Sequence, residues 1–223
     1  MIQKQPPLPE FYRSNRWFFN SFALFLLFAG LLLLRLDTGD LVLYFSNHRS
    51  AALDFLFIYG TELGEPIAFF LSLALLLFVS YRYAIVVPFV GLSVTFLAYY
   101  AKRIFYHDRP LAFFEKLDLA DTLILVEGIK VHSGPTSFPS GHTMAGFALF
   151  AFLAFCLPQK RWVALLCLLL AVVVGLSRIY LAQHFLKDVY LGSIMGVAVA
   201  SFWYYLCLVP RWSWLDGRLK IGR

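Results

Sequence analysis

Six apolar runs, at 17–36, 65–80, 84–105, 141–157, 161–180 and 188–209, decide what this chain can become. A helix that crosses a bilayer needs about 20 mostly apolar residues. Four of the runs reach that length, and the second and fourth fall short. Charged residues make up 14% of the sequence, against about 25% in an average soluble protein, and they sit between the runs. The pattern predicts an all-α fold: a polytopic bundle of six transmembrane helices in a single membrane domain over 1–223. Residues 1–16 and 210–223 read as tails and 17–209 as the core. The first run is longer than a signal-peptide core and continues into "RLDTGD" with no A-x-A-like cleavage site, so it reads as a retained helix. The stretch from Asp40 to Leu63 is too often interrupted by polar residues to span, and it predicts one or two helices along the outer interface.

Six crossings put both termini on one side. Lys4, Arg13, Arg16, Arg82, Lys160, Arg161, Arg211, Arg218, Lys220 and Arg223 share that side with only Glu10 and Asp216. The other side carries the remaining nine basic residues among eleven acidic ones. The Lys/Arg counts alone are nearly even, but setting aside Lys102, Arg109 and Arg178, which have a chemical task argued below, leaves ten against six and assigns the termini to the cytoplasm. Trp17, Trp162, Trp212 and Trp214 then form an aromatic belt at the cytoplasmic edge. A net charge of +6 would point to nucleic acid in a soluble protein; here the membrane surface accounts for it, and no nucleic-acid partner is expected. Cys156, Cys167 and Cys207 all lie inside apolar runs, which suits small core residues rather than a disulfide framework or a metal site.

Three polar clusters stand at the outer ends of these runs. In "KRIFYHDRP", Lys102 and Arg109 are seven residues apart, which returns to nearly the same helix face about 10 Å further on. Pro110 disfavours helix at Arg109, so the helix is expected to end there. A snorkelling pair of anchors explains these two cations as well as a binding role does. In "PSGH", Ser140 is placed to cap the following helix, and Gly141 lets a ligand approach the backbone. The first-turn amides form an anion site, and His142 sits among them. An ordinary N-cap explains Ser140 but leaves the histidine unexplained.

The third cluster, "SRIYLAQHFLKD", holds Ser177, Arg178, His184 and Asp188. His184 and Asp188 are i and i+4, hence neighbours on a helix. A carboxylate beside an imidazole fixes its tautomer, as a histidine nucleophile requires; a purely structural pair is the alternative. Taken together, three cations, helix-terminal amides, two histidines and a carboxylate fit phosphoryl transfer to histidine followed by hydrolysis. His107 falls about 140° from Lys102 on a helix and so off the site, His48 and His132 lack such neighbours, and Gly192 and Gly196 read as a helix contact.

The combination K-x6-R-P, P-S-G-H and S-R-x5-H-x3-D (Lys102 to Pro110, Pro139 to His142, Ser177 to Asp188) resembles the signature of the type 2 phosphatidic acid phosphatase family, with every fixed position present. The resemblance covers roughly residues 50 to 205. It implies a metal-independent membrane phosphatase with no cofactor. His184 would be the nucleophile, Asp188 its orienting carboxylate and His142 the general acid. Lys102, Arg109, Ser140, Gly141, Arg178 and Ser177 would hold the phosphate. The implied partners are the bilayer and a lipid phosphate, with no obligate protein partner. Undecaprenyl diphosphate or phosphatidylglycerol phosphate are the expected substrates, met in the plasma (inner) membrane with the site facing the periplasmic or extracellular side. Lipid A or phosphatidate are alternative substrates. A non-catalytic lipid-phosphate binder or transporter is the alternative function, disfavoured because binding alone needs neither two histidines nor an aspartate.

Overall fold

The computed structural model describes residues 8–158, 161–209 and 212–220. Lys4, Lys160, Arg211 and Arg223, used above to assign sides, lie outside the described residues. Among the described residues ten α-helices follow one another in chain order: α1 (Leu8–Ser14), α2 (Arg16–Arg35), α3 (Asp40–Asn47), α4 (Ala51–Glu62), α5 (Pro66–Leu77), α6 (Tyr81–Ile104), α7 (Pro110–Lys116), α8 (Gly141–Cys156), α9 (Arg161–Tyr180) and α10 (Leu186–Cys207). There is no strand among the described residues; a lone parallel bridge joins His107 to Thr136.

Every predicted apolar run forms a helix, but the six are not equivalent. α2, α6, α9 and α10 are each long and apolar enough to cross a membrane. α5 has 12 residues, and α4 and α5 meet at a 64° bend; together they have the length and composition of one broken span. The stretch 40–63 forms two helices, α3 and α4, within the one or two expected there, and α4 packs on α9. α8 has 16 residues and is buried from Thr143 to Cys156. It is wrapped by α6, α9 and α10. A helix that is apolar on every face is one that other helices surround, so α8 is the axis of the bundle.

Small residues let α10 lie against that axis. A Cβ on Gly196 would stand 2.5 Å from Met144 O, and one on Gly192 2.8 Å from Ser140 O. On the facing side, Gly146 and Gly175 admit Val174 and Val189. The interior is rich in aromatic rings: Phe11, Phe18, Phe19 and Tyr204 surround Phe155.

One end of the bundle gathers the segments that the sequence assigns to one side. Arg161 lies over the ring of Trp17. Arg82, at the start of α6, pairs with Asp216 at 2.8 Å. Tyr81 N donates to Gly217 O, and Leu219 N donates to Leu77 O. Trp17, Trp162, Trp212 and Trp214 are all exposed there. The long segment 105–140 lies at the other end, mostly irregular apart from α7 and a short 3-10 turn at Ala120–Thr122.

Candidate active site

Each motif residue owes its position to a local device, and two of those devices differ from the sequence expectation. α6 ends at Ile104, five residues before Arg109, so Lys102 and Arg109 do not share a helix face. Residues 105–109 run extended instead. Ser137 N donates to His107 O, and Arg109 N donates to Gly134 O, stitching this strand-like piece to the segment before α8. Arg109 becomes the N-cap of α7, with Pro110 at its first position. Its guanidinium reaches across to donate to Gln183 O at 3.1 Å. His107 is held out of the site in the same bridge, its ring against Phe138.

The second difference concerns His184 and Asp188. They meet at 3.2 Å, Nδ1 to Oδ2, yet not on one turn of helix. α9 stops at Tyr180, and Ala182 takes a left-handed conformation with φ of 51°. Gln183 N and His184 N then both donate to Arg178 O, at 2.9 and 3.1 Å. This tight turn folds His184 back beside Arg178. Phe185 is the N-cap of α10, and Asp188 at N3 reaches back to accept from Phe185 N at 2.9 Å. The same carboxylate oxygen therefore caps the helix and holds the imidazole.

Ser137, which the sequence reading passed over, donates to that oxygen as well and lies 3.4 Å from His184 Nδ1. With Nδ1 so occupied, Nε2 is the nitrogen left for chemistry. Asp188 Oδ1 and Arg178 Nε are buried without a hydrogen-bond partner.

Ser140 caps α8 as expected, its hydroxyl accepting from Thr143 N and from Thr143 Oγ1. Its own amide is committed to Asp188 O at 3.1 Å. The open first-turn amides are therefore those of Gly141 and His142, which no intrahelical bond can satisfy. Ser177 is fully buried and donates to Val174 O at 2.6 Å, so its hydroxyl is engaged with α9. His142 Nε2 lies 2.5 Å from Glu65 Oε1, at the start of α5. Arg178 donates to Thr61 Oγ1 at 2.7 Å.

The three clusters come together in space. Lys102 feels the charges of Arg109, Arg178 and Asp188, and His142 those of Arg178, Glu65 and Lys102. His184 feels Asp188, Arg178 and Arg109. Burial pushes the His184 imidazole down to about 3, with the Asp188 hydrogen bond and charge opposing and the two guanidiniums adding to the shift. Burial also lowers Arg109, against the attraction of Asp188.

Glu65, Thr61, Ser137, Thr136 and Gln183 are site neighbours that sequence reasoning missed. Gln183 joins Arg109 to His132, whose Nδ1 lies 3.1 Å from its side-chain oxygen. His132 therefore has a site-linked neighbour after all. Lys116 pairs with Asp108 at 2.6 Å, and Lys187 lies over the Phe185 ring. No cluster of three metal-ligating side chains occurs among the described residues.

A groove of about 550 Å³ opens beside His142. Phe69, Phe70 and Leu73 of α5, Val87, Pro88, Leu92 and Ala98 of α6, and Gly141, His142 and Ala145 of α8 form its walls. It is mostly apolar, with Thr95 and His142 its polar side chains.

The model of the PAP2 superfamily matches residues 84–212. Lipid phosphate phosphatase 2 of Arabidopsis thaliana is 41% identical over 101 residues, covering 39% of this chain and 35% of that protein. Undecaprenyl-diphosphatase BcrC of Bacillus subtilis is 24% identical over 162 residues, covering 71% and 77%. The match spans about a third of the length of the plant relatives. The crystal structure of a transmembrane PAP2-type phosphatidylglycerolphosphate phosphatase from Bacillus subtilis superposes with a TM-score of 0.59 at 22% identity, over 87% of this chain and 96% of that one. That likeness is one of fold.

Proposed function

We propose a function from one premise: this chain belongs to the PAP2 superfamily, whose model it matches across more than half its length. It is an integral membrane phosphatase that removes phosphate from a lipid. The names of its relatives, lipid phosphate phosphatase and undecaprenyl-diphosphatase, support that substrate class. The observation that carries the reading is the meeting of three cations and two histidines, each histidine with its own carboxylate, at one end of an apolar bundle.

Lys102, Arg109, Arg178 and the amides of Gly141 and His142 bind the phosphoryl oxygens and hold the charge that spreads over them in the transition state. The unpartnered Arg178 Nε is a donor ready for such an anion. Ser140 contributes through its cap, and Ser177 by holding the end of α9 beneath Arg178. His184 Nε2 attacks phosphorus as the bond to the leaving oxygen breaks. His142 gives that oxygen a proton. Water then attacks the phosphohistidine while the now neutral His142 takes its proton, the P–N bond breaks, and phosphate leaves with His142 reprotonated. Asp188 keeps the His184 proton on Nδ1 throughout. The cations that hold the phosphate are side chains, and the proposed reaction proceeds without metal or cofactor.

The lipid tail lies in the apolar groove between α5, α6 and α8, and the headgroup meets its His142 end. In the full topology, α8 and the bent α4–α5 pair cross the membrane with the four long helices. The termini then face the cytoplasm, and the site faces outward from the plasma (inner) membrane. Undecaprenyl diphosphate, phosphatidylglycerol phosphate, phosphatidate and lipid A are the substrates to compare. Side-by-side turnover of these four in excess chelator should release phosphate from at least one, and His184→Ala should abolish that release. Near-normal turnover by His184→Ala would overturn the mechanism. Binding without release from any lipid would support the transporter alternative.

A further inference from the structure

The second histidine of the site has a carboxylate partner 77 residues away in the chain. Glu65 is the N-cap of α5, in an extended conformation with Pro66 fixing the direction of the helix, and its side chain makes no capping bond. The carboxylate does not serve its own helix. It faces His142 Nε2 at 2.5 Å, and both side chains remain partly open, at 39% for Glu65 and 33% for His142. The charged groups acting on His142 are Glu65 from α5, Arg178 from α9 and Lys102 from α6. Gly64 and Pro66, either side of Glu65, line the apolar groove together with Gly141 and His142. The carboxylate thus stands at the groove mouth, where the lipid part of a substrate leaves the phosphoryl group.

We propose that Glu65 positions His142 as a proton donor matched to alkoxide leaving groups, and so selects lipid phosphomonoesters over lipid diphosphates. This inference rests on the phosphatase reading above. In a monoester the bond that breaks joins phosphorus to the oxygen of the lipid alcohol. The departing alkoxide is strongly basic and takes its proton from the imidazole nitrogen that Glu65 does not hold. Glu65 fixes the ring and balances the charge of the imidazolium until that transfer. In a diphosphate the bridging P–O bond breaks instead, and a lipid monophosphate departs. That anion is weakly basic and needs no proton. Its negative charge also comes to rest beside the Glu65 carboxylate, where like charges repel. Both effects favour the monoester.

The test uses the full chain in detergent micelles, with Glu65→Gln, which keeps the shape and removes the charge, and Glu65→Asp. The substrates are phosphatidate, farnesyl diphosphate and a series of aryl phosphates of graded leaving-group acidity. Glu65→Gln is expected to lower kcat/KM for phosphatidate by roughly tenfold to a hundredfold, with a loss on the diphosphate at least tenfold smaller. Among the aryl phosphates the loss should shrink as the leaving group becomes more acidic, and Glu65→Asp should recover part of it. Equal losses on all substrates at unchanged melting temperature would reduce Glu65 to a structural contact and overturn the proposal. A wild-type preference for the diphosphate would overturn it as well. A wild-type chain that hydrolyses none of them would instead overturn the phosphatase reading, and this inference with it.

Discussion

His184 sits at 1% exposure between a carboxylate and two guanidiniums, and that burial sets how the protein responds to acid. The folded chain holds the imidazole neutral, with its pKa depressed to about 3, while the unfolded chain protonates it near about 6.5. Above the unfolded value neither state carries the proton, and the full stability is present. As pH falls from there toward 3, the unfolded state takes up a proton that the folded state refuses, so stability falls. Thermal melts between pH 7.5 and 4.5 should show a steeper loss for the wild type than for His184→Gln. Parallel curves would contradict the assignment of a neutral, buried nucleophile. The polar clusters at the ends of the apolar runs were legible in the sequence, and the structure brings Lys102, Arg109, Arg178, His142, His184 and Asp188 of those clusters together. Glu65, Ser137, Gln183 and Thr61 were not legible, because each meets its partner across a tertiary contact that no periodicity records. The His184–Asp188 pair was found for the wrong local reason: a helix-cap contact happens to share the i, i+4 spacing of a helical turn.

At the scale of elements, α8 and α10 hold the site together by backbone proximity. Ser140 N donates to Asp188 O, so the two helix N-termini that carry the motifs are joined directly. Gly192 and Gly196 make that approach possible, since a Cβ at either would meet main-chain atoms that have nowhere to move. Gly196→Ala is expected to destabilise the fold by about 1–3 kcal/mol and to lower activity by displacing α10 from α8. An unchanged melting temperature would refute this packing argument. The six apolar runs announced helices, because apolar length carries that signal, but of the six spans expected, four helices among the described residues have spanning length, or five spans with the bent α4–α5 pair. Two features escaped that signal. α6 stops at Ile104 because the pairing of His107 with Thr136 draws the chain away, and only the partner segment reveals that. The association of α4 with α9 includes the contact of Arg49 and Asp54, polar residues that had read as interruptions of an apolar run, with Tyr180 at the end of α9.

The whole molecule is a bundle with two different ends. One carries Trp17, Trp162, Trp212 and Trp214 and the connection from Leu77 to Tyr81, tied to the C-terminal segment by Arg82 and Asp216. The other carries the histidines and cations. The native cysteines are all buried, so a single introduced thiol reports the side on which it lies. With Cys in place of Tyr106, which is 80% exposed at the site end, a membrane-impermeant maleimide should label intact cells. With Cys in place of Trp214 it should label only after the membrane is opened. The reverse pattern would place the site in the cytoplasm.

The central claim is that phosphate passes through His184, and trapping the intermediate tests it most directly. An aryl phosphate departs without help from an acid, so hydrolysis of the enzyme-bound phosphate becomes limiting and the intermediate accumulates. Quenching in base during turnover, followed by peptide mass spectrometry, should find up to one phosphate per chain on His184 and none in His184→Gln. Turnover with no phosphorylated chain, or phosphate on another residue, would contradict the account.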